Sequence, residues 1–547
     1  MSKFFRDYKA RRPLVARGPH PGWVAFEQVR RALATRPSES MPLAPTTPDV
    51  LPSATHALAA AAYRGLPLQA ALDIFPGSRW KKGISSLLAP DAGEAFARLV
   101  QQRTLSSQHP RVVRSFGMSA SRVVEHCLAA SATRRRRDRA LAVIVIVTCW
   151  LFLPGTLVWL LAMQAGSAFP RLGRIPIAVV GLLSAWLLWP PPFDGGAGAW
   201  YVRLLLAAPY AGWLASRELS VRTAAALRQH ADRVYEGHLG TRVPEAAPTG
   251  PGDVKAEALR EALARLDAEE EGNVVFYDES GAVLGLGARW GSWSLREELH
   301  DRDNRAIVPF QVWEVVSGVA RRMRDVATGE PLTVGQWAAF PIAGPLHSGP
   351  KEPDTRAFTV GPADLQQLLS ASTSGKSILM AQCPLQHDQS VVTLLIRVAI
   401  EGRTLQVTVD GYALGPVSPY LLSPPSSHWS QGAKAGPFHR TELPVDATEV
   451  CRLMGRAPFT LLPAPFLDLL GGRLVPPEPF SLRSSTAHPP WSRHAFTNEA
   501  LQTAQTVLRH IHTAITAVLA EHNVDLSAPD TCGDTDHYVF VRAHDDT

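Results

Sequence analysis

The sequence predicts a membrane hairpin of two transmembrane helices, flanked by an N-terminal all-α region and a C-terminal α+β domain with a mainly antiparallel sheet. Three observations predict it. The 24 residues Ala140–Met163 (ALAVIVIVTCWLFLPGTLVWLLAM) carry no charge. At 1.5 Å per residue such a run makes roughly 36 Å of helix, enough for a hydrocarbon core of about 30 Å. A second apolar run, Ile175–Trp189, follows after a short connection. Beyond Asn273 the apolar residues leave helical spacing for alternation, the signature of strands.

Charge sets the expected orientation. Arg134, Arg135, Arg136, Arg137 and Arg139 stand directly before the first run, and basic residues flanking a span are retained on the cytoplasmic side. The expectation is a multi-pass protein of the cell membrane with both termini cytoplasmic. Trp186 and Trp189 then suit a headgroup-level belt. Trp200–Ala215, broken by Arg203 and Pro209, is read as an interfacial helix, the alternative being a third span that would place the C-terminal domain outside. Residues 1–139 hold 23 Lys/Arg against 9 Asp/Glu, a net of +14, whereas residues 246–547 hold 24 against 35, a net of −11. The basic segment is expected to meet the lipid bilayer through its anionic headgroups, with residues 1–110 free to dock weakly on the acidic domain. No nucleic-acid motif or basic-aromatic interleaving is present, so no nucleic-acid partner is expected.

The expected division has a basic helical region at 1–133, with a Pro-rich linker at 36–54, and then the arginine cluster and hairpin at 134–192. Interfacial helices and a linker follow at 193–253, an α+β domain at 254–530 and a polar tail at 531–547. In the first region GWVAFEQVRRALAT (22–35) has helical spacing, and Asp91 and Glu94 stand at capping-box distance. The five Cys are scattered and suggest no disulfide framework. MSKFFRDYKARRP has no apolar core behind its basic residues and does not read as a signal peptide.

In the C-terminal region NVVFY and AVLGLG flank the turn Asp278–Gly281, a hairpin signal. Residues 308–327 and 363–372 read as helices, and 377–383, 390–400 and 403–412 as three strands, the last two joined at Glu401-Gly402. The final element, 497–523, keeps Leu501, Ala504, Leu508, Ile511, Ile515 and Val518 at 3-4 spacing. That is a packing face, used inside its own domain or to form a homo-oligomer. The order of elements is also analogous to small-molecule sensor domains of the PAS or GAF type.

The stretches GNVVFYDESGAVLGLGARWGSWSL, GKSILMAQCPLQHDQSVVTLLIRVAIEGRTLQVTVDGYALGPVSPY and VLRHIHTAITAVLAEHNVDLS resemble uncharacterised integral membrane proteins of high-GC Gram-positive bacteria, over roughly residues 272–530. Where that family has a Pro-Phe-containing turn, this chain has Ala288-Arg289. The resemblance implies no activity and no functional residues.

Candidate chemistry is sparse. Thr373–Ser377 (TSGKS) has the end of a phosphate loop, but Ser370 replaces the required Gly and the order helix, turn, strand is reversed. Gly285, Gly287 and Gly291 miss the dinucleotide spacing because Trp290 stands where the third Gly belongs. They are expected to serve a strand end with positive φ or close backbones. Cys383 with His387, and Cys532, Asp534, Asp536 and His537, lack the paired spacings of a zinc site. His300, Asp301 and Asp303 form the most polar knot, read as a loop, and His510 and His512 cannot share a helix face. No catalytic residue, metal or cofactor is assigned. The leading expectation is a membrane-anchored cytoplasmic interaction or scaffold protein, non-enzymatic. The alternative is a membrane-bound sensor whose α+β domain binds a small ligand, with an enzyme third. A transporter fits least, because neither run contains an ionisable residue.

Overall fold

The computed structural model describes residues 52–525, apart from scattered single positions and the segments 66–71, 85–87, 106–112, 169–196 (save Val179 and Leu182), 247–252, 302–306, 328–331, 342–358, 371–375, 386–389, 424–446, 478–479 and 488–493. In chain order the principal elements are α1 (Pro52–Ala61), β1 (Arg79–Lys81), α2 (Ala92–Thr104), α3 (Ala120–Ala168), α4 (Ala197–Tyr235) and α5 (Val254–Glu271). Then come β2 (Val274–Tyr277), β3 (Ala288–Glu298), β4 (His300–Asp301), α6 (Val312–Ala327), β5 (Thr333–Pro341), α7 (Pro362–Ser370), β6 (Lys376–Pro384), β7 (Val391–Glu401) and β8 (Thr404–Leu414). The chain closes with α8 (Ala447–Arg456), β9 (Arg473–Val475), α9 (His494–Glu521) and β10 (Val524–Asp525).

No helix among the described residues is long and apolar enough to cross a membrane. The predicted pair of transmembrane helices is therefore corrected, and the multi-pass placement with cytoplasmic termini, which rested on it, falls too. The physical reason lies in α3. Its 49 residues run the arginine cluster and the apolar stretch into one helix. Leu141, Ala142 and Val145 are buried there against Val450, Leu453, Met454 and Ala457 on and after α8. Three apolar residues expected to meet lipid tails thus serve a helix–helix interface, while Val143, Ile146, Val147, Trp150, Leu151, Leu153 and Leu157 of the same run are exposed. The second run, Ile175–Trp189, lies outside the described residues save Val179 and Leu182. Trp200–Ala215 is the first part of α4, which continues through Pro209 to Tyr235.

The sheet is mixed, with strand order β2-β5-β6-β7-β8-β3. β2 runs parallel to β5, and the other four pairings are antiparallel. β7 and β8 meet at Glu401-Gly402, where Gly402 has φ +63°, the left-handed conformation a tight turn favours. AVLGLG, expected as a strand, meets β2 only through the isolated bridge between Tyr277 and Val283, and two strands of this sheet, β3 and β5, are not expected from the sequence. β3 carries Gly291 and several charged residues, and β5 leads into a Pro/Gly-rich run.

Both faces of the sheet are covered. On one, Val315, Val319 and Met323 of α6 and Ile511, Ile515 and Val518 of α9 pack over Leu394, Ile396, Val407 and Val409. The 3-4 face of α9 is therefore used within the chain. On the other, Val275, Trp337, Met380, Leu395 and Tyr412 join one core with Leu58, Val123, Cys127 and Leu227 of the N-terminal helices. Each fully buried side chain of this kind contributes about 1.5–3 kcal/mol.

Chain from beyond the sheet returns to the N-terminal helices. β1 pairs antiparallel with β9. The Arg64 guanidinium, 1% exposed, donates to the carbonyls of Tyr420 at 2.7 Å, Leu421 at 2.9 Å and Ser423 at 2.8 Å, satisfying carbonyls left open at the end of the short helix Pro419–Leu422. At the start of α2, Asp91 accepts from the Glu94 amide at 2.6 Å, as the spacing predicts.

Candidate functional site

The arginine cluster divides between faces because an α-helix turns once in 3.6 residues. Ser131, Arg134, Arg135, Asp138 and Arg139 fall on one side of α3 and line a groove of about 350 Å³. Arg136 falls on another, with His126, Ala129 and Thr133. Arg134 is 2% exposed, donating to the Ala62 carbonyl at 2.7 Å and to Asp91 at 3.3 Å. Arg137 is paired with its buried neighbour Asp138 at 2.8 Å. Arg135 is exposed and meets Glu245 at 2.7 Å, and Arg136 and Arg139 are exposed. Trp186 and Trp189 lie outside the described residues.

The groove rests on a buried ion pair. Both carboxylate oxygens of Glu94 accept from the Arg456 Nη2, at 2.6 and 2.8 Å, while Arg98 donates to the same carboxylate at 2.6 Å. Burial alone raises a carboxyl, but Arg456, Arg98 and Arg134 outweigh it and hold Glu94 well below the usual carboxylate range. Burial likewise opposes the charge on Arg456, yet Glu94 and Asp138 keep its guanidinium firmly protonated. The pair fixes the C-terminal end of α8, and with it the segment that follows, against α2. The far wall of the groove is apolar, carrying Leu461 at 52% exposure and Leu462 at 41%. Phe459, Phe466 and Leu469 of the same segment are also exposed. Cations on one wall and exposed leucines on the other suit an acidic, partly apolar chain segment.

A second polar cluster sits on the sheet. Asp410, 3% exposed, accepts from Arg289 and Arg397 and from the Ser292 hydroxyl at 2.8 Å. Its two oxygens are thereby shared among three strands, binding β3, β8 and β7. Lys376, at the start of β6, lies over the Tyr277 ring at 4.7 Å. Its amine is lowered by burial and by the nearby Arg397.

The remaining sequence candidates are dispersed. Gly285 and Gly287 both have φ +88°. A Cβ there would stand 2.2 Å from the Arg114 carbonyl oxygen and 2.3 Å from that of Ala413, respectively, so close backbones and positive φ account for them. Lys376 and Ser377 of the TSGKS run begin β6, and Thr373–Gly375 lie outside the described residues. Cys383 is buried on the sheet. His387, Asp303, Cys532, Asp534, Asp536 and His537 lie outside the described residues. His300 and Asp301 form β4, paired with β10, and His510 and His512 stand on α9. Among the described residues no group of three or more His, Cys, Asp or Glu is placed to hold a metal.

The groove segment 459–469 belongs to the part of the chain that has a recognisable relationship. Residues 292–530 match a family described as an AbeC-like domain. No curated protein matches the chain, and no solved structure does. The AbeC-like region takes in most of the sheet, α6, α8 and α9, and therefore one wall of the groove. The other wall, on α2 and α3, lies upstream of the match. The stretch 272–530 singled out by resemblance overlaps the matched region, which carries with it neither a bacterial group nor a membrane setting.

Sequence reasoning found the arginine cluster and placed Glu94 in the first turn of α2, but not the pairing of Glu94 with Arg456 behind the groove. The two are 362 residues apart, and nothing in either local sequence marks a pairing at that distance.

Proposed function

We propose that this protein is a non-enzymatic interaction or scaffold protein, and that the groove between α3 and the AbeC-like segment 459–469 receives an acidic, partly apolar segment of a partner protein. The observation that carries this reading is the juxtaposition of exposed Arg135 and Arg139 with exposed Leu461 and Leu462 across one groove. Charge complementarity gives orientation and encounter rate, and the apolar wall gives the buried area a complex needs. The rigid backing supplied by Glu94 and Arg456 supports it, because a pre-ordered surface loses less freedom on binding.

The test uses the full chain with a photo-crosslinking residue at Leu461, and a fluorescent probe peptide alternating Glu and Leu. Saturable binding that falls at least about tenfold in Arg135→Glu/Arg139→Glu, with crosslinks at 461 lost in parallel, supports the reading. Binding unchanged by the double substitution, or no crosslink from 461, overturns it.

A further inference from the structure

Facing away from that groove, α3 helps to enclose a crevice of about 400 Å³ with α4 and the end of α1. Its deep end is buried. Tyr63 and His126 are each 1% exposed and share a hydrogen bond of 3.0 Å between the phenolic oxygen and Nδ1. The Tyr63 ring also stacks on His230, with centroids 5.7 Å apart and planes at 20°. Burial pushes the Tyr63 phenol up to about 12, so the hydroxyl stays neutral. At the mouth stand Arg136, Arg233 and His230, all exposed.

The composition of the lining points to the charge of what it holds. It includes two arginines, three histidines, two threonines and a tyrosine, and no carboxylate. Asp232 on α4 and Glu236 just after it lie outside the lining. Two guanidiniums at one mouth present more N–H donors than a single carboxylate accepts, and they match the several oxygens of a phosphate. Between mouth and floor the wall is made by Ala129, Ala132 and Val234, small apolar side chains that leave room for an organic body. A volume of this size is within the range of small-molecule sites.

We propose that this crevice binds a small phosphate-bearing molecule, its phosphate held by Arg136 and Arg233 at the mouth and its body lying against Ala129, Ala132 and Val234 toward Tyr63 and His126. The site belongs to the N-terminal helices, away from the sheet, and is independent of the groove proposed for a protein partner.

The experiment is a calorimetric titration of the full chain with phenyl phosphate, which joins a phosphate to a planar body, at constant ionic strength. The expected result is saturable binding, weakened at least about tenfold in Arg136→Ala/Arg233→Ala. Both arginines are exposed, so the thermal midpoint of the unliganded double variant should match the parent and show that the loss is local. Tyr63→Phe, which keeps the ring and removes the hydroxyl, should leave most of the affinity, since the phosphate is held at the mouth. No saturable binding by the parent overturns the proposal. Undiminished binding by the double variant does so as well, by placing the phosphate elsewhere.

Discussion

Replacing Arg456 with Met tests whether a single buried ion pair holds the C-terminal segment to the N-terminal helices. The Arg456 side chain is 1% exposed and that of Glu94 10%. Removing the cation leaves Glu94 with Arg98 as its closest partner, in a place water scarcely reaches. Breaking a buried pair by deleting one partner costs about 3–5 kcal/mol, and that is the loss expected for Arg456→Met in urea unfolding at neutral pH. Removing both charges, in Glu94→Gln/Arg456→Met, should cost clearly less than the sum of the single changes, because no orphaned charge remains. The pH dependence provides a second reading. The folded-state pKa of Glu94 is depressed, so its contribution is fully present above the unfolded value near 4.3 and is lost as pH falls through the depressed folded value. The acid-side fall in stability should therefore be shallower in Arg456→Met. A cost below about 1 kcal/mol, or single costs that simply add, would refute the assignment of this pair as the fastening.

Three further outcomes follow from the same packing. Gly287→Ala should destabilise by more than about 1 kcal/mol in thermal unfolding, since φ is +88° and the new Cβ would meet the Ala413 carbonyl at 2.3 Å. Asp410→Asn should cost about 1–2 kcal/mol, because a buried carboxylate that holds two half-exposed arginines is lost, with the change visible as faster amide exchange in β3 and β7. Glu270 accepts from the Ser121 amide at 2.7 Å near the start of α3, and burial raises its carboxyl from 4.5 to about 7. A raised folded value makes the contribution complete below the unfolded pKa and removes it as pH rises through about 7. Glu270→Gln should flatten the stability profile between pH 4.5 and about 7, measured by urea midpoints.

What was legible in the sequence was what local chemistry decides. The β7–β8 turn needed a Gly at 402, and α2 needed an Asp at 91. The final helix shows its buried face in the spacing of Ala504, Leu508, Ile511, Ile515 and Val518. β3 and β5 were not legible, because their strand character comes from neighbours. β3 pairs along its length with β8 despite Gly291, Arg296 and two glutamates. β5 is held between β2 and β6. Hydropathy was misleading in α3 for a definite reason. For Leu141, Ala142 and Val145, burial against protein and burial in hydrocarbon demand the same side chains, and only the position of α8 reveals that they join Val450 and Met454 in one buried cluster.

Net charge describes the two parts of the chain and not the individual contacts between them. Residues 1–139 sum to +14 and residues 246–547 to −11, which suggests a loose, salt-sensitive attraction between a basic and an acidic part. The buried contact at the groove reverses those signs, for the acid is Glu94 and the cation is Arg456. Charges exposed to water are screened over about 8 Å at physiological ionic strength, whereas a pair shut away from water keeps most of its interaction. The arginine cluster repeats the distinction within one turn and a half of helix. Arg134 and Arg137 are buried and committed to the fold. Arg135 and Arg139 are presented to the groove, and Arg136 to the crevice. Six consecutive positions rich in one residue type thus divide among three environments, and the 3.6-residue turn decides which arginine lines the groove, which the crevice and which the core.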